Sequence, residues 1–114
     1  MQIVNATKNS LLVDKASIAD TFWKRVVGLL GRKGLEEKGG LVIRPCSSIH
    51  TFFMRFSIDI IFLDKHSRVT KIIRNMPPFR LSLPAFAAKC VIELPSGAIA
   101  RSRTEIGDLI EFRD

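Results

Sequence analysis

Two acids set among apolar residues are the side chains of this chain best suited to chemistry. Asp59 interrupts Ile58-Asp59-Ile60-Ile61-Phe62-Leu63, and Glu93 interrupts Cys90-Val91-Ile92-Glu93-Leu94. Burying even a neutral polar group without a partner costs about 2–7 kcal/mol, so a carboxylate among branched aliphatics must be paired or functional. By the two-residue period of a strand, Asp59 shares a face with Ile61 and Leu63, while Ile58, Ile60 and Phe62 take the other face. If the two acids lie on neighbouring strands, they can form a carboxylate pair with one raised pKa, the equipment of general acid–base catalysis. The plainer reading makes Asp59 a structural acid held by Arg25, Arg55 or backbone amides, and Glu93 a rim acid at the end of a strand.

A second constellation precedes the first acid. Cys46, His50 and Met54 lie four residues apart, and on a helix this spacing would stack a thiolate, an imidazole and a thioether as a soft-metal site. The local residues oppose a helix: Pro45 precedes Cys46, and Ile49, Thr51, Phe52 and Phe53 are β-branched or aromatic. In an extended chain, positions four apart sit about 13 Å from each other, too far to share a metal. The expectation is therefore no metal, with a part-buried thiol at Cys46 and a hydrogen-bonded imidazole at His50. Phe53, Met54 and Arg55 suit the wall of a shallow apolar pocket, and Pro77-Pro78 suits its lid. The chain has no Gly-rich phosphate loop, Gly-x-Ser-x-Gly elbow or His-Glu-x-x-His, and nothing in it calls for a cofactor.

These residues need elements to position them. Ile3 and Leu11–Val13, bridged by the polar run from Asn5 to Ser10, predict two short strands and a turn. From Asp20 to Leu30 the period changes, with Phe22, Trp23, Val26, Val27, Leu29 and Leu30 at the spacing of an amphipathic helix that Gly31 ends. Leu41–Ile43 and Ile58–Leu63 predict strands. Asp64-Lys65-His66-Ser67 is a turn, and Arg68–Arg74 returns as the second arm of a hairpin. Phe79 to Phe86 reads as a loop whose apolar side chains tuck beneath a neighbour. Lys89–Leu94 is a strand, Ala98–Arg103 a short helix, and Leu109–Phe112 the last strand. This order predicts a β-rich α+β domain with a small curled or barrel-like, mostly antiparallel sheet, a main helix at about 20–30 and a short one at about 98–103.

The chain of 114 residues is one domain, 1–114, long enough for a single core. Its net charge of +7 favours anionic contacts, but the eighteen Lys and Arg are scattered, with loose groups at Arg32/Lys33, Arg68/Lys71/Arg74 and Arg101/Arg103. A nucleic-acid module would cluster them with stacking aromatics, so specific nucleic-acid binding is not expected. The N-terminal residues lack the pattern of an export signal, and no apolar run approaches a membrane span, which predicts a cytoplasmic protein without membrane contact. Cys46 and Cys90 make no disulfide framework. Cys90, on a face with Ile92 and Leu94, is expected to be a core thiol.

Several separated matches in order give the chain a resemblance to the prokaryotic domain-of-unknown-function family 192. They are Arg25-x-x-Gly28-Leu29, Gly40-Leu41, Phe53-Met54-Arg55, Ile58-Asp59, Phe62-Leu63-Asp64, Glu93-Leu94, Gly97 and Gly107-Asp108. Leu30 stands where that family usually has methionine, and Ser57 where proline is common. The resemblance implies a compact, mostly β fold with one main helix, and it supplies no activity, cofactor or catalytic residue. The residues together predict an uncharacterised domain, monomeric by default, that binds a small molecule or a protein partner at a surface built by Arg25, His50, Met54, Arg55, Asp59 and Glu93. A hydrolase-like acid–base enzyme using Asp59 and Glu93 is the alternative reading, and a nucleic-acid accessory protein the second.

Overall fold

The computed structural model of the chain describes residues 1–19, 39–44, 57–78, 80–82, 85 and 87–114. They form eight strands and one short helix: β1 Gln2–Asn5, β2 Ser10–Val13, β3 Lys15–Ala19, β4 Gly39–Ile43, β5 Ile58–Leu63, β6 Val69–Met76, β7 Cys90–Pro95, α1 Ala98–Ser102 and β8 Ile110–Arg113. All but β3 fall where hydrophobic patterning and turn residues place them. Lys15-Ala16-Ser17-Ile18-Ala19 carries one large apolar residue and no alternation, so its strand character comes from its neighbour β4 rather than from its own composition. The helix predicted at 20–30 lies outside the described residues.

The strands make two open sheets, ordered β2-β1-β8 and β3-β4-β7-β5-β6, which corrects the expected single barrel-like sheet. The chain crosses from one sheet to the other between β2 and β3 at Asp14. Two narrow seams tie the sheets: the N–H of Ala16 donates to the carbonyl of Met1, and a lone bridge joins Arg68 to Leu109. Neither seam extends into a ladder, so no continuous closed pairing exists among the described residues. Among the described residues all strand pairings are antiparallel except β3 with β4. Parallel neighbours demand a long crossover, and residues 20–38 make that connection.

The five-stranded sheet is apolar on both faces, which explains why β5 is buried along its whole length. One face packs against the small sheet and α1, joining Ile61, Leu63, Ile92 and Leu94 to Ile3, Leu12, Val13 and Ile99. Cys90 belongs to this cluster, as its strand position predicts. The opposite face gathers Leu41, Ile43, Ile58, Ile60, Phe62 and Val91, with Met76 and Ala88 packed on it. Leu81 departs from the expected tucked loop, since it is 68% exposed.

Asp64 closes the β5–β6 hairpin by accepting the N–H groups of His66 and Arg68 at 2.8 and 3.0 Å, which lets Ser67 take a left-handed φ of 61°. Gly40 sits where its neighbours approach closely: a Cβ there would stand 2.9 Å from Val13 Cγ2 and 3.2 Å from the backbone oxygen of Glu93. The side chain can yield, but the carbonyl is fixed by the sheet. Gly40→Ala should therefore lower stability by about 1–3 kcal/mol in denaturant unfolding. A midpoint equal to wild type would show that β4 has room to shift.

Candidate functional site

Asp59 stands at the start of β5, opposite Leu94, and is 1% exposed. Its setting comes from an irregularity in the neighbouring strand. Ile58 pairs with Met76 and Ile60 with Ile73, so β6 carries one residue more than β5 across this interval and bulges at Arg74–Asn75. Asn75 takes a φ of 57°, which turns its N–H out of the ladder and onto Asp59 Oδ1 at 2.8 Å. The other oxygen, Oδ2, accepts the N–H groups of Gly97 at 3.1 Å and Ile99 at 2.9 Å. Gly97 is the N-cap of α1 and has no side chain to cap it, so a carboxylate from a distant strand does the capping. The two sequence-based partners, Arg25 and Arg55, lie outside the described residues.

A cavity of about 380 Å³ opens onto this junction, lined by Asp59, Arg74, Asn75, Ser96, Gly97 and Ala100. At its rim Ser96 Oγ donates to Asn75 Oδ1. Polar groups thus converge on the cavity from the end of β6, the turn after β7 and the first turn of α1. Arg74 brings the positive charge.

Glu93 sits on the other side of the same sheet. Its partners in register are Leu41 on β4 and Ile60 on β5, both members of the opposite apolar cluster. The two acids therefore do lie on neighbouring strands, but the pleat directs them to opposite faces, and the carboxylate pair expected of them does not form. Glu93 is also no rim acid: it is 4% exposed, in the middle strand of five. Burial in apolar surroundings pushes its carboxyl up to about 8.

A polar cluster that sequence reasoning missed joins the two ends of the chain. Buried Asn5 donates to Thr104 Oγ1 at 3.0 Å and to Asp108 Oδ2 at 2.9 Å, and Lys8 pairs with Asp108 at 2.9 Å. Burial raises the Asp108 carboxyl, but the bonds from Asn5, the Glu105 N–H and Lys8 outweigh it and hold the group below the usual carboxylate range. Every member is satisfied within the cluster, which makes it a clasp between the β1–β2 turn and the segment before β8. The signal available in sequence was the pair Gly107-Asp108, where Gly107 takes a φ of 96°.

Cys46, His50, Met54, Arg55 and Arg25 lie outside the described residues. Among the described residues no three His, Cys, Asp or Glu side chains converge as a metal site. His66 is exposed in its turn. The basic group Arg68/Lys71/Arg74 is divided: Arg68 donates to the Gly107 carbonyl, Lys71 lies 5.3 Å over the ring of Phe62 on the Glu93 face, and Arg74 lines the cavity on the Asp59 face. Among the described residues no helix is long and apolar enough to cross a membrane.

Two open sheets, one short helix among the described residues and a buried capping acid define a mostly β domain of a recurring kind. A protein of unknown function from Novosphingobium aromaticivorans has the same fold, with a TM-score of 0.83 at 23% identity over 97% of this chain and 82% of that one. The chain belongs to the DUF192 family, "Uncharacterized ACR", whose model matches residues 3–112. Among its relatives, a UPF0127 protein of Thermococcus sibiricus is 38% identical over 114 residues, 96% of this chain and 73% of the relative. Another UPF0127 protein, from Pyrococcus horikoshii, is 39% identical over 113 residues, 96% of this chain and 97% of the relative.

The two acids respond oppositely to substitution. Asp59→Ala strands three backbone N–H groups and should cost about 3–5 kcal/mol in thermal or denaturant unfolding. A melting curve unchanged from wild type would remove Asp59 from its structural role. For Glu93 the folded carboxyl titrates near 8 against an ordinary value of 4.5. Below the lower value both states are protonated and nothing is lost; between the two, only the unfolded chain ionises, so stability falls as pH rises and stays low above the upper value. Glu93→Gln cannot ionise. It should match wild type near the acid end of this window and exceed it at the alkaline end by on the order of 3 kcal/mol. Parallel pH profiles for the two proteins would contradict a buried neutral Glu93.

Proposed function

We propose that the protein is a binding module for a small polar molecule, held in the cavity at the junction of β6, β7 and α1. The observation that carries this reading is the convergence of Arg74, Asn75, Ser96 and the backbone at Gly97 on one cavity of about 380 Å³. A concave site with a few fixed polar groups is the usual form of a small-molecule site, and this volume falls in the usual range. Asp59 forms the floor rather than the reactive group, because its two oxygens already accept three backbone N–H bonds. The guanidinium of Arg74 suits an anionic group, and the Asn75 and Ser96 side chains suit hydrogen-bonding groups beside it.

An acid–base enzyme is the weaker reading, since a pair needs its carboxyls on one face and these two are divided by the sheet. The proposal rests on the cavity residues alone; Arg25, His50, Met54 and Arg55 are not needed for it. Titrating isotope-labelled protein with inorganic phosphate, acetate and citrate should move the amide signals of Asn75, Ser96, Gly97 and Ala100 together. Arg74→Glu should weaken the tightest of these by tenfold or more, about 1.4 kcal/mol, without changing the fold. Shifts confined to other residues, or unaffected by Arg74→Glu, would reject the cavity as the site.

A further inference from the structure

The cavity at the junction of β6, β7 and α1 brings together two opposite charges that are not spent on each other. Arg74 lines it and makes no ion pair among the described residues. Asp59 lies at its floor, and the three groups bonded to its oxygens are all uncharged backbone N–H groups. Such bonds satisfy the oxygens of a carboxylate but leave its net charge in place, and burial limits the screening of that charge by water and salt.

The two polar side chains of the cavity have open positions of opposite kind. Ser96 Oγ donates its hydrogen to Asn75 Oδ1, which leaves the hydroxyl oxygen as an acceptor and the Asn75 Nδ2 hydrogens as donors. Asn75 follows Arg74 directly in the bulge of β6, and Ser96 precedes Gly97, whose N–H ends on Asp59 Oδ2. The cavity thus has a donor side, Arg74 with Asn75, and an acceptor side, Ser96 with the Asp59 charge. Bonds from Asn75 and Gly97 to the same carboxylate hold these sides together. Gly97 and Ala100 complete the lining with little side-chain volume.

We propose, on the reading of this cavity as a small-molecule site, that its ligand is a free α-amino acid with a small uncharged side chain. The α-carboxylate binds Arg74 and the Asn75 Nδ2 hydrogens, the α-ammonium donates to Ser96 Oγ, and the side chain lies along Gly97 and Ala100. Asp59 is 1% exposed and acts on the ammonium through its charge rather than by contact. A free α-amino acid carries both charges on one carbon, which suits donor and acceptor sides fixed to a common carboxylate. A plain carboxylate fills only the donor side, an alkylammonium only the acceptor side, and a phosphate dianion is attracted by Arg74 but repelled by Asp59.

The test titrates the isotope-labelled whole chain with L-alanine at about pH 7, where the amino acid is a zwitterion. L-Lactate lacks the ammonium and ethylamine lacks the carboxylate, so each probes one side alone. L-Alanine should move the amide signals of Asn75, Ser96, Gly97 and Ala100 together and bind about tenfold or more tightly than either. Ser96→Ala should weaken L-alanine more than it weakens acetate. Ala100→Phe, at an exposed position of α1, should fold as wild type and lose L-alanine binding. L-Lactate binding as tightly as L-alanine would overturn the amino acid and leave the cavity an anion site. L-Alanine binding unchanged by Ala100→Phe would overturn its placement here, and the absence of shifts at the cavity with every probe would overturn the small-molecule reading as well.

Discussion

The fold turns on one carboxylate. Asp59 reaches from the start of β5 to the bulge of β6 and the first turn of α1, and three backbone N–H groups end on its two oxygens. A helix of one and a half turns has little stability of its own, and its first N–H groups need acceptors. The bulge likewise frees an N–H from the ladder. One buried acid meets both needs and fixes α1 against the β5–β6 edge. The packing of Ala98 and Ile99 into the core between the sheets follows from that placement.

The pleat of the sheet decides what chemistry is open to the chain. Asp59 and Glu93 occupy adjacent strands in sequence contexts that look alike, yet Asp59 pairs with Leu94 and Glu93 with Ile60, so each acid belongs to a different face. On one face the carboxylate is fully engaged and a polar cavity opens beside it. On the other the carboxyl is buried among aliphatic side chains, which raises its pKa. The sheet therefore separates the two acids, and they cannot act as a carboxylate pair.

Much of the strand pattern was legible because it depends on local alternation and turn residues: the β1–β2 and β5–β6 hairpins, β7 and the short α1 all follow from it. The two-faced burial of β5 was legible as well, in a run where five of six residues are large and apolar. Three features were not. β3 has no pattern of its own and exists by pairing with β4. The separation into two sheets depends on where pairing stops at Asp14 and Arg68, which no local residue type announces. The partners of Asp59 are backbone amides from Asn75, Gly97 and Ile99, and amides carry no residue signature. Backbone amides stood beside Arg25 and Arg55 among the partners expected of Asp59, but sequence alone has no means of showing which main-chain groups they are. The likeness of Glu93 to Asp59 hid the opposite fact, that strand register sets them back to back.

Amide hydrogen exchange in the native protein tests the central role of Asp59 most directly. The account predicts that the N–H groups of Asn75, Gly97 and Ile99 exchange slowly, at rates comparable with the ladder amides of β5, and that Asp59→Ser exposes these three selectively. Fast exchange at Gly97 and Ile99 in the native protein, or protection unchanged in Asp59→Ser, would contradict it.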